Sequence, residues 1–166
     1  MKKLLACLLI IGTLICICSC EPEDNRPRVV DGYFTYVLQE DGTYSITATD
    51  VNDFPEEVTI PETYQGVEVT AIEDEAFARC PSLRKITVPA SIVRIPYGAF
   101  YMCPELEEVE LLGTLKHIGN GAFGLCEQEL NIHFPGTQKQ WEGISKAGNW
   151  AVETDYYVYC KDGILQ

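Results

Sequence analysis

The sequence has few histidines and few basic residues. Its two histidines are His117 and His133, and its 12 lysines and arginines stand against 25 aspartates and glutamates, which gives a formal net charge of −13 at pH 7. Neither histidine comes with a serine or cysteine nucleophile in a recognisable motif. A chain this acidic repels phosphate backbones and anionic lipid headgroups. We therefore expect no nucleic-acid partner, no charge-driven attachment to membranes and no nucleophilic catalysis.

The apolar run near the N-terminus is too short for a comfortable membrane span. Leu4–Ile17 falls short of the roughly 20 residues that a span needs. Two lysines precede it, so residues 1–19 are typical of an export signal. A serine directly before Cys20 resembles a lipoprotein processing site, which implies a mature chain that begins at a lipid-modified Cys20. Ordinary signal-peptidase cleavage, with Cys20 left as a plain thiol, is the alternative.

Residues 20–31 are predicted to be a tether, because they are polar, acidic and contain proline. The acidic stretch directly after Cys20 resembles the surface-export signals of some diderm lipoproteins. A solvated spacer is an equally good interpretation of the same residues. We expect an exported protein that is lipid-anchored to the bacterial outer membrane, and the leaflet that displays it stays open.

A 23-residue repeat dominates the middle of the chain. Ala-Phe-x-x-Cys runs begin at Ala76, Ala99 and Ala122, and the apolar residues between them keep the same register. Each repeat holds an alternating strand, such as Ile86–Val88, and a turn whose apolar residues have helical spacing. Neither piece can close a core alone, so successive coils must stack and pair their strands in parallel. The repeat therefore predicts a solenoid.

The repeats resemble the BspA-like leucine-rich repeats of bacterial cell-surface proteins. Three Ile-x-x-x-Ala-Phe-x-x-Cys runs, at residues 72–80, 95–103 and 118–126, carry the resemblance, together with the Val-Thr-Ile-Pro and Ile-Thr-Val-Pro strands at Val58 and Ile86. The resemblance implies a leucine-rich repeat fold and protein-binding or adhesive work at the cell surface.

The predicted fold class is an α/β repeat solenoid with about three 23-residue coils of parallel strands and short helical turns. The leucine-rich repeats are assigned to residues 57–135. Residues 32–56 alternate apolar and polar side chains on both sides of an Asp-Gly turn signal, which predicts an N-terminal β-hairpin cap. Five extra residues within 62–70 predict a second, small hairpin that projects from the first coil.

Residues 136–166 are predicted to be a C-terminal cap of helix and strand. Thr137 and Gln140 have the spacing of a capping box, and a short helix is expected to continue to Gly148. A strand is expected at Tyr156–Tyr159, and the large aromatic side chains of this region suit a covering role.

Three other patterns resemble functional motifs without their context. The spaced glycines of Gly119–Gly124 match a dinucleotide-binding fingerprint, but no βαβ unit surrounds them. The acidic run of residues 105–110 is typical of a solvated face, because paired catalytic carboxylates need a cleft. The cysteines of the repeat lie in one line, which cannot surround a tetrahedral zinc ion. We expect no enzyme activity, no cofactor and no metal site.

The state of the cysteines has two interpretations. Cys80, Cys103 and Cys126 fit buried thiols, and an exported protein also allows a disulfide between adjacent coils or with Cys160.

The outward side of the repeat strands is the predicted ligand-binding surface. Its residues are Glu57, Thr59, Lys85, Thr87, Glu108, Glu110, Asn131 and His133. In leucine-rich repeats this face forms a continuous surface, so the predicted function is that of a non-enzymatic envelope lipoprotein that binds a host or envelope protein. Glycan binding and a purely structural envelope role are the alternatives.

Overall fold

The computed structural model describes residues 24–166, so the predicted export signal and Cys20 lie outside the described residues. The strands are β1 (Arg28–Asp31), β2 (Phe34–Leu38), β3 (Tyr44–Ala48), β4 (Glu57–Thr59), β5 (Thr63–Tyr64), β6 (Val67–Ile72), β7 (Lys85–Val88), β8 (Arg94–Ile95), β9 (Glu108–Leu111), β10 (His117–Ile118), β11 (Leu130–His133), β12 (Ser145–Lys146), β13 (Tyr156–Cys160) and β14 (Gly163–Leu165). A 3-10 helix spans Val51–Asp53, and the α-helix α1 spans Gln138–Glu142.

One six-stranded sheet runs the length of the repeat region. Its order is β4-β7-β9-β11-β13-β14, and every neighbouring pair is parallel except the last. The central residue of each parallel strand points into the core, and these residues pair in register: Val58, Ile86, Val109, Ile132 and Val158. The predicted solenoid of stacked coils with parallel strands is therefore confirmed, with about four coils rather than three.

A second layer of short strands faces this sheet across the core. β8, β10 and β12 form a three-stranded parallel sheet, and β6 pairs in parallel with β3 of the N-terminal hairpin. The inserted hairpin forms as predicted from β5 and β6, but it does not project freely. Its Tyr64 ring stacks on Tyr36 with centroids 3.9 Å apart, which ties the insertion to the N-terminal sheet.

The segments expected to be short helical turns are hydrogen-bonded turns instead. Each ends at a residue with left-handed backbone: Arg79, Met102 and Leu125 have φ between 55° and 59°. A residue with left-handed backbone conformation ends an α-helix, and residues other than glycine rarely adopt that conformation. Backbone carbonyls of these turns accept hydrogen bonds from the neighbouring coil. The Phe77 amide donates to the Ala99 carbonyl, and the Phe100 amide donates to the Ala122 carbonyl.

The phenylalanines of the repeat form a continuous stack in the core. Phe77 lies parallel to Phe100 with ring centroids 5.4 Å apart, and Phe100 lies parallel to Phe123 at 5.2 Å. Phe34 of the N-terminal hairpin meets one end of the stack edge-on, and Trp150 meets the other. The hairpin and the C-terminal residues thus contact the two ends of the core, while their role as caps stays a prediction.

The cysteines of the repeat lie beside this stack. The Cys103 thiol donates to the Phe77 carbonyl at 3.1 Å, and the Cys126 thiol donates to the Phe100 carbonyl at 3.4 Å. Burial raises the pKa of Cys126 to about 12, so this thiol stays protonated. Cys80, Cys103, Cys126 and Cys160 are all free thiols in the structure.

The structure differs from the predicted tether at its C-terminal end. Residues Arg28–Asp31, the last four of the predicted 20–31 segment, form β1 and pair with β2. Their side chains are all exposed, and Val30 has 63% of its surface accessible. The hydrogen bonding between this segment and β2 begins one residue before β1, since the Leu38 amide donates to the Pro27 carbonyl.

Arg26 fastens the segment before β1 to the first coil. Its guanidinium bonds Glu73 at 2.6 Å and Asp24 at 2.8 Å. Burial alone would raise the pKa of Glu73, but hydrogen bonds from Arg26 and Ser45 outweigh burial and hold the pKa of Glu73 below its ordinary value. This carboxylate therefore stays charged and paired at neutral pH.

The C-terminal helix is shorter than predicted. The capping box of Thr137 and Gln140 forms, but α1 ends at Glu142. The Gly143 amide still makes the helical bond to the Lys139 carbonyl, whereas the Ile144 amide donates to the Trp141 carbonyl, only three residues back. Residues 145–146 then pair with β10 instead of continuing a helix to Gly148. The sheet of β8, β10 and β12 therefore includes residues that the helical pattern had predicted to belong to α1.

Phe100→Ala tests the core stack. We expect it to lower the free energy of unfolding by about 3–5 kcal/mol, because the cavity lies between two buried rings. The matched control is Tyr97→Ala in the same coil, an aromatic residue with half its surface exposed. Chemical denaturation measures both variants, and equal losses of stability would contradict the assignment of Phe100 to the core.

Candidate interaction surface

The outward side chains of the parallel strands form two rows. The first row runs across the sheet through Glu57, Lys85, Glu108, Asn131 and Tyr157. The second row runs beside it through Thr59, Thr87, Glu110, His133 and Tyr159. We call these ten residues the strand face. The rows arise because parallel strands in register place every second side chain at the same level.

The structure brings together all eight residues that were predicted from the repeat. Each is half-buried or exposed, while the residue between the two rows in each strand points inward. Whether these eight residues bind a ligand is taken up below. Tyr157 and Tyr159 were not assigned to the face from the sequence. The alternating Tyr157-Val158-Tyr159 pattern was the available signal, and it was interpreted only as part of a cap.

The middle of the strand face carries a charge network. The Lys85 ammonium lies 2.9 Å from a Glu108 oxygen and 3.8 Å from a Glu110 oxygen. The hydrogen bond from Lys85 is the largest cause that holds the pKa of Glu108 below its ordinary value. Arg84 pairs with Glu107 beside the same strands. Three carboxylates against one lysine leave the two rows acidic.

The C-terminal end of the strand face is aromatic. The His133 and Tyr159 rings stack with centroids 5.0 Å apart and planes 18° from parallel. The Tyr159 hydroxyl donates to the Asn131 side-chain oxygen at 3.0 Å, which holds the ring across the neighbouring strand. Because the Tyr159 ring stacks on His133 and its hydroxyl is hydrogen-bonded, the pair forms an aromatic platform next to the acidic residues.

Two shallow depressions open on this face. One, of about 230 Å³, lies over β4 and β7 and is lined by Glu57, Thr59, Lys85 and Thr87. The other, of about 420 Å³, lies where the strands end and is lined by Glu110, His133, Tyr159, Leu112 and Lys161 among others. The second depression combines an aromatic pair, an exposed leucine, a carboxylate and an ammonium group. It offers the more varied chemistry of the two.

Tyr64, Tyr97 and Tyr101 lie away from the strand face. Tyr64 packs against the N-terminal sheet. Tyr97 and Tyr101 belong to the turn that begins at Pro96, on the side of the coil away from β7 and β9. The alternation of a strand predicts which side a residue faces, whereas the turns lack such a rule.

The glycines of Gly119–Gly124 have structural roles. A side chain at Gly119 would meet the Pro96 backbone at 2.7 Å, so only glycine lets the two coils approach. Gly121 has φ of 61°, which matches Gly98 in the preceding coil. Neither role involves a phosphate, and the strand before the run is the two-residue β10. Packing between coils therefore accounts for the motif.

Metal-binding and membrane-spanning elements were sought among residues 24–166. In this range no group of three or more histidine, cysteine or acidic side chains is placed to hold a metal ion. None of the helices in the same range has the length and apolar character to cross a bilayer.

The stacked coils, the 23-residue period and the parallel sheet define a leucine-rich repeat solenoid. The family model of the BspA type leucine rich repeat region matches residues 52–146 in six copies, which is more than half of the chain. The chain therefore belongs to the BspA-type leucine-rich repeat family. Comparison with curated proteins gives no match.

Solved structures similar to this chain include two leucine-rich proteins. A leucine-rich cell surface protein from Faecalibacterium prausnitzii shares 26% identity, with a TM-score of 0.53, over 66% of this chain and 33% of its own length. A leucine-rich repeat protein from Bacteroides capillosus shares 24% identity, with a TM-score of 0.57, over 80% of this chain and 98% of its own length. The chain thus spans a third of the first protein and almost all of the second.

Lys85→Ala tests the charge network in solution. Loss of the ammonium group removes the main cause of the low pKa of Glu108, so we expect that pKa to rise toward its ordinary value. Lys139→Ala, which changes a lysine of α1, is the matched control and should leave Glu108 unaffected. NMR titration of the Glu108 side chain measures the effect. An unchanged Glu108 pKa in Lys85→Ala would mean that the pair does not form.

Proposed function

We propose that this protein is a non-enzymatic, lipid-anchored protein of the cell envelope that binds a protein partner with its strand face. The family and the cell-surface description of a similar structure support an interaction role. The observation that carries the proposal is the strand face itself, where two rows of outward side chains run in register across five strands. The backbone that holds these side chains is hydrogen-bonded in a sheet, so little backbone conformational entropy is lost on binding.

The dimensions of the strand face fit an extended segment of a partner. Neighbouring strands lie about 4.8 Å apart, so a row from Glu57 to Tyr157 is about 19 Å long. An extended peptide advances about 3.3 Å per residue, so about six residues would cover one row. The segment would cross the strands and would contact each coil once.

The charge of the strand face favours a basic partner. Glu57, Glu108 and Glu110 outnumber Lys85 on the two rows, and the whole chain carries a net charge of −13. Charge complementarity speeds association and is weakened by salt. The stacked His133 and Tyr159 rings supply a fixed aromatic anchor beside the carboxylates. A partner segment with an aromatic or aliphatic residue next to basic residues matches this arrangement.

A pull-down from host and envelope extracts tests the strand face, with residues 21–166 as bait. The test variant combines Lys85→Ala, Glu108→Ala and His133→Ala. The control variant combines Lys139→Ala, Glu142→Ala and His117→Ala, which removes the same three side-chain types from α1 and β10. We expect a basic protein that is retained by the parent and the control, lost from the test variant, and released as the salt concentration rises.

Circular dichroism and thermal melting first establish that both triple variants are folded. A partner that binds the parent and the test variant equally well would contradict the assignment of the strand face. A partner lost from both variants would contradict it as well, because the two sets of residues lie on different elements.

The lipid anchor has its own test in Cys20→Ala. The Ser19-Cys20 pair resembles a lipoprotein processing site, so the substitution should abolish acyl labelling and release the protein from membranes. Cys18→Ala is the matched control, since it changes a neighbouring cysteine and should leave labelling intact. Labelling that persists in Cys20→Ala would show that a different residue is processed.

A further inference from the structure

A groove on the turn side of the solenoid has features of a second binding site. It has a volume of about 240 Å³ and lies between Tyr97 and Tyr101 of one turn, Asn120 and Gly121 of the next, and Asn149 of the last. It is separate from the strand face, whose residues lie on the parallel strands.

The stacking of turns builds the groove. The Gly98 amide donates to the Asn120 carbonyl at 3.0 Å, and the Gly121 amide donates to the Asn149 carbonyl at 3.2 Å. These bonds place the positions of Tyr97, Asn120 and Asn149 side by side in three successive turns. Gly121 lines the groove, and its φ of 61° is a backbone conformation that glycine adopts without strain.

The polar groups of the groove are uncharged and available. Its lining has two phenols and two carboxamides, and it has no carboxylate, ammonium, guanidinium or imidazole group. Among residues 24–166, the Asn120 and Asn149 side chains and the Tyr97 and Tyr101 hydroxyls make no hydrogen bond. Each carboxamide can both donate and accept. Half of the Tyr97 surface is exposed to solvent.

We propose that this groove binds a neutral saccharide. The exposed Tyr97 ring offers a flat apolar face for the C–H face of a sugar, and the two carboxamides offer the paired donors and acceptors that sugar hydroxyls need. An anionic ligand is disfavoured because the groove has no cation and the Glu75 side chain lies against Gly98 at its border. A basic ligand would find no carboxylate within the lining.

The volume of the groove suits one sugar ring and part of a second. Its 240 Å³ corresponds to about eight molecules of liquid water. Because the groove is open, the remaining units of an oligosaccharide would extend into solvent along the stacked turns. We therefore expect weak binding by a single site, with a preference for a chain or a branched array of sugars over one free sugar.

Binding of neutral oligosaccharides tests the proposal. The full chain, purified in a detergent without a sugar headgroup, is titrated with cellotriose, maltotriose, mannotriose and chitotriose, and with sialyllactose as the acidic probe. We expect at least one neutral probe to bind and sialyllactose not to bind. Tyr97→Ala and Asn120→Ala should each weaken the affinity about tenfold or more, a change of about 1.4 kcal/mol.

Tyr33→Ala is the matched control, because Tyr33 has 51% of its surface exposed, against 50% for Tyr97, and lies in the turn between β1 and β2. It should bind as the parent does. If Tyr97→Ala does not fold, Asn120→Ala decides the test, since only the backbone of Asn120 takes part in the turn ladder. The proposal is overturned if no neutral probe binds, if sialyllactose alone binds, or if both groove variants bind as tightly as the parent.

Discussion

The spacing between hydrogen-bonded strands controls the whole molecule. Parallel strands lie about 4.8 Å apart, and everything that repeats from coil to coil must fit that distance. Flat phenylalanine rings do so, and they stack at 5.4 Å and 5.2 Å through the core. The turns also do so, because amides of one coil donate to carbonyls of the next. A coil with a bulky helix in place of the turn would hold its neighbours further apart.

Two surfaces with different chemistry follow from this one constraint. On the strand side, alternation sorts residues strictly into inward and outward, so the outward ones form straight rows. On the turn side, the close approach of two coils requires glycine at Gly119, and the positive φ of Gly121 favours glycine in the lining of the groove. The strand face is charged and aromatic, whereas the groove is neutral. One stack of coils can therefore present two unrelated recognition chemistries at once.

The sequence predicted what the repeat period controls. Phe77, Phe100 and Phe123 recur at a constant step, and the structure buries all three in one stack. The eight predicted strand-face residues point outward for the same reason, and their role in ligand binding stays a prediction. One incorrect prediction lies where the period stops. Residues 145–146 have a helical pattern, yet they form β12 and pair with the edge of β10.

Other features depended on contacts that no local pattern encodes. The polar residues before β1 suit a solvated spacer, but Arg26 forms an ion pair with Glu73, which is 47 positions away in the sequence. Tyr159 was visible in an alternating strand, but its pairing with His133 required knowledge that β13 adds to the same sheet as β11. The helical spacing of the Ala-Phe-x-x-Cys segments was real. Left-handed residues such as Met102 nevertheless close them as turns.

The bond between Arg26 and Glu73 also limits how far the solenoid can stand from its anchor. If Cys20 carries the lipid, only six residue steps separate the bilayer surface from a side chain that is fixed to the first coil. A fully extended chain covers about 20 Å over that distance. A connection of this length would hold the N-terminal sheet beside the headgroups. The C-terminal coils, with Tyr157 and Tyr159, would then be the end that is free to swing outward.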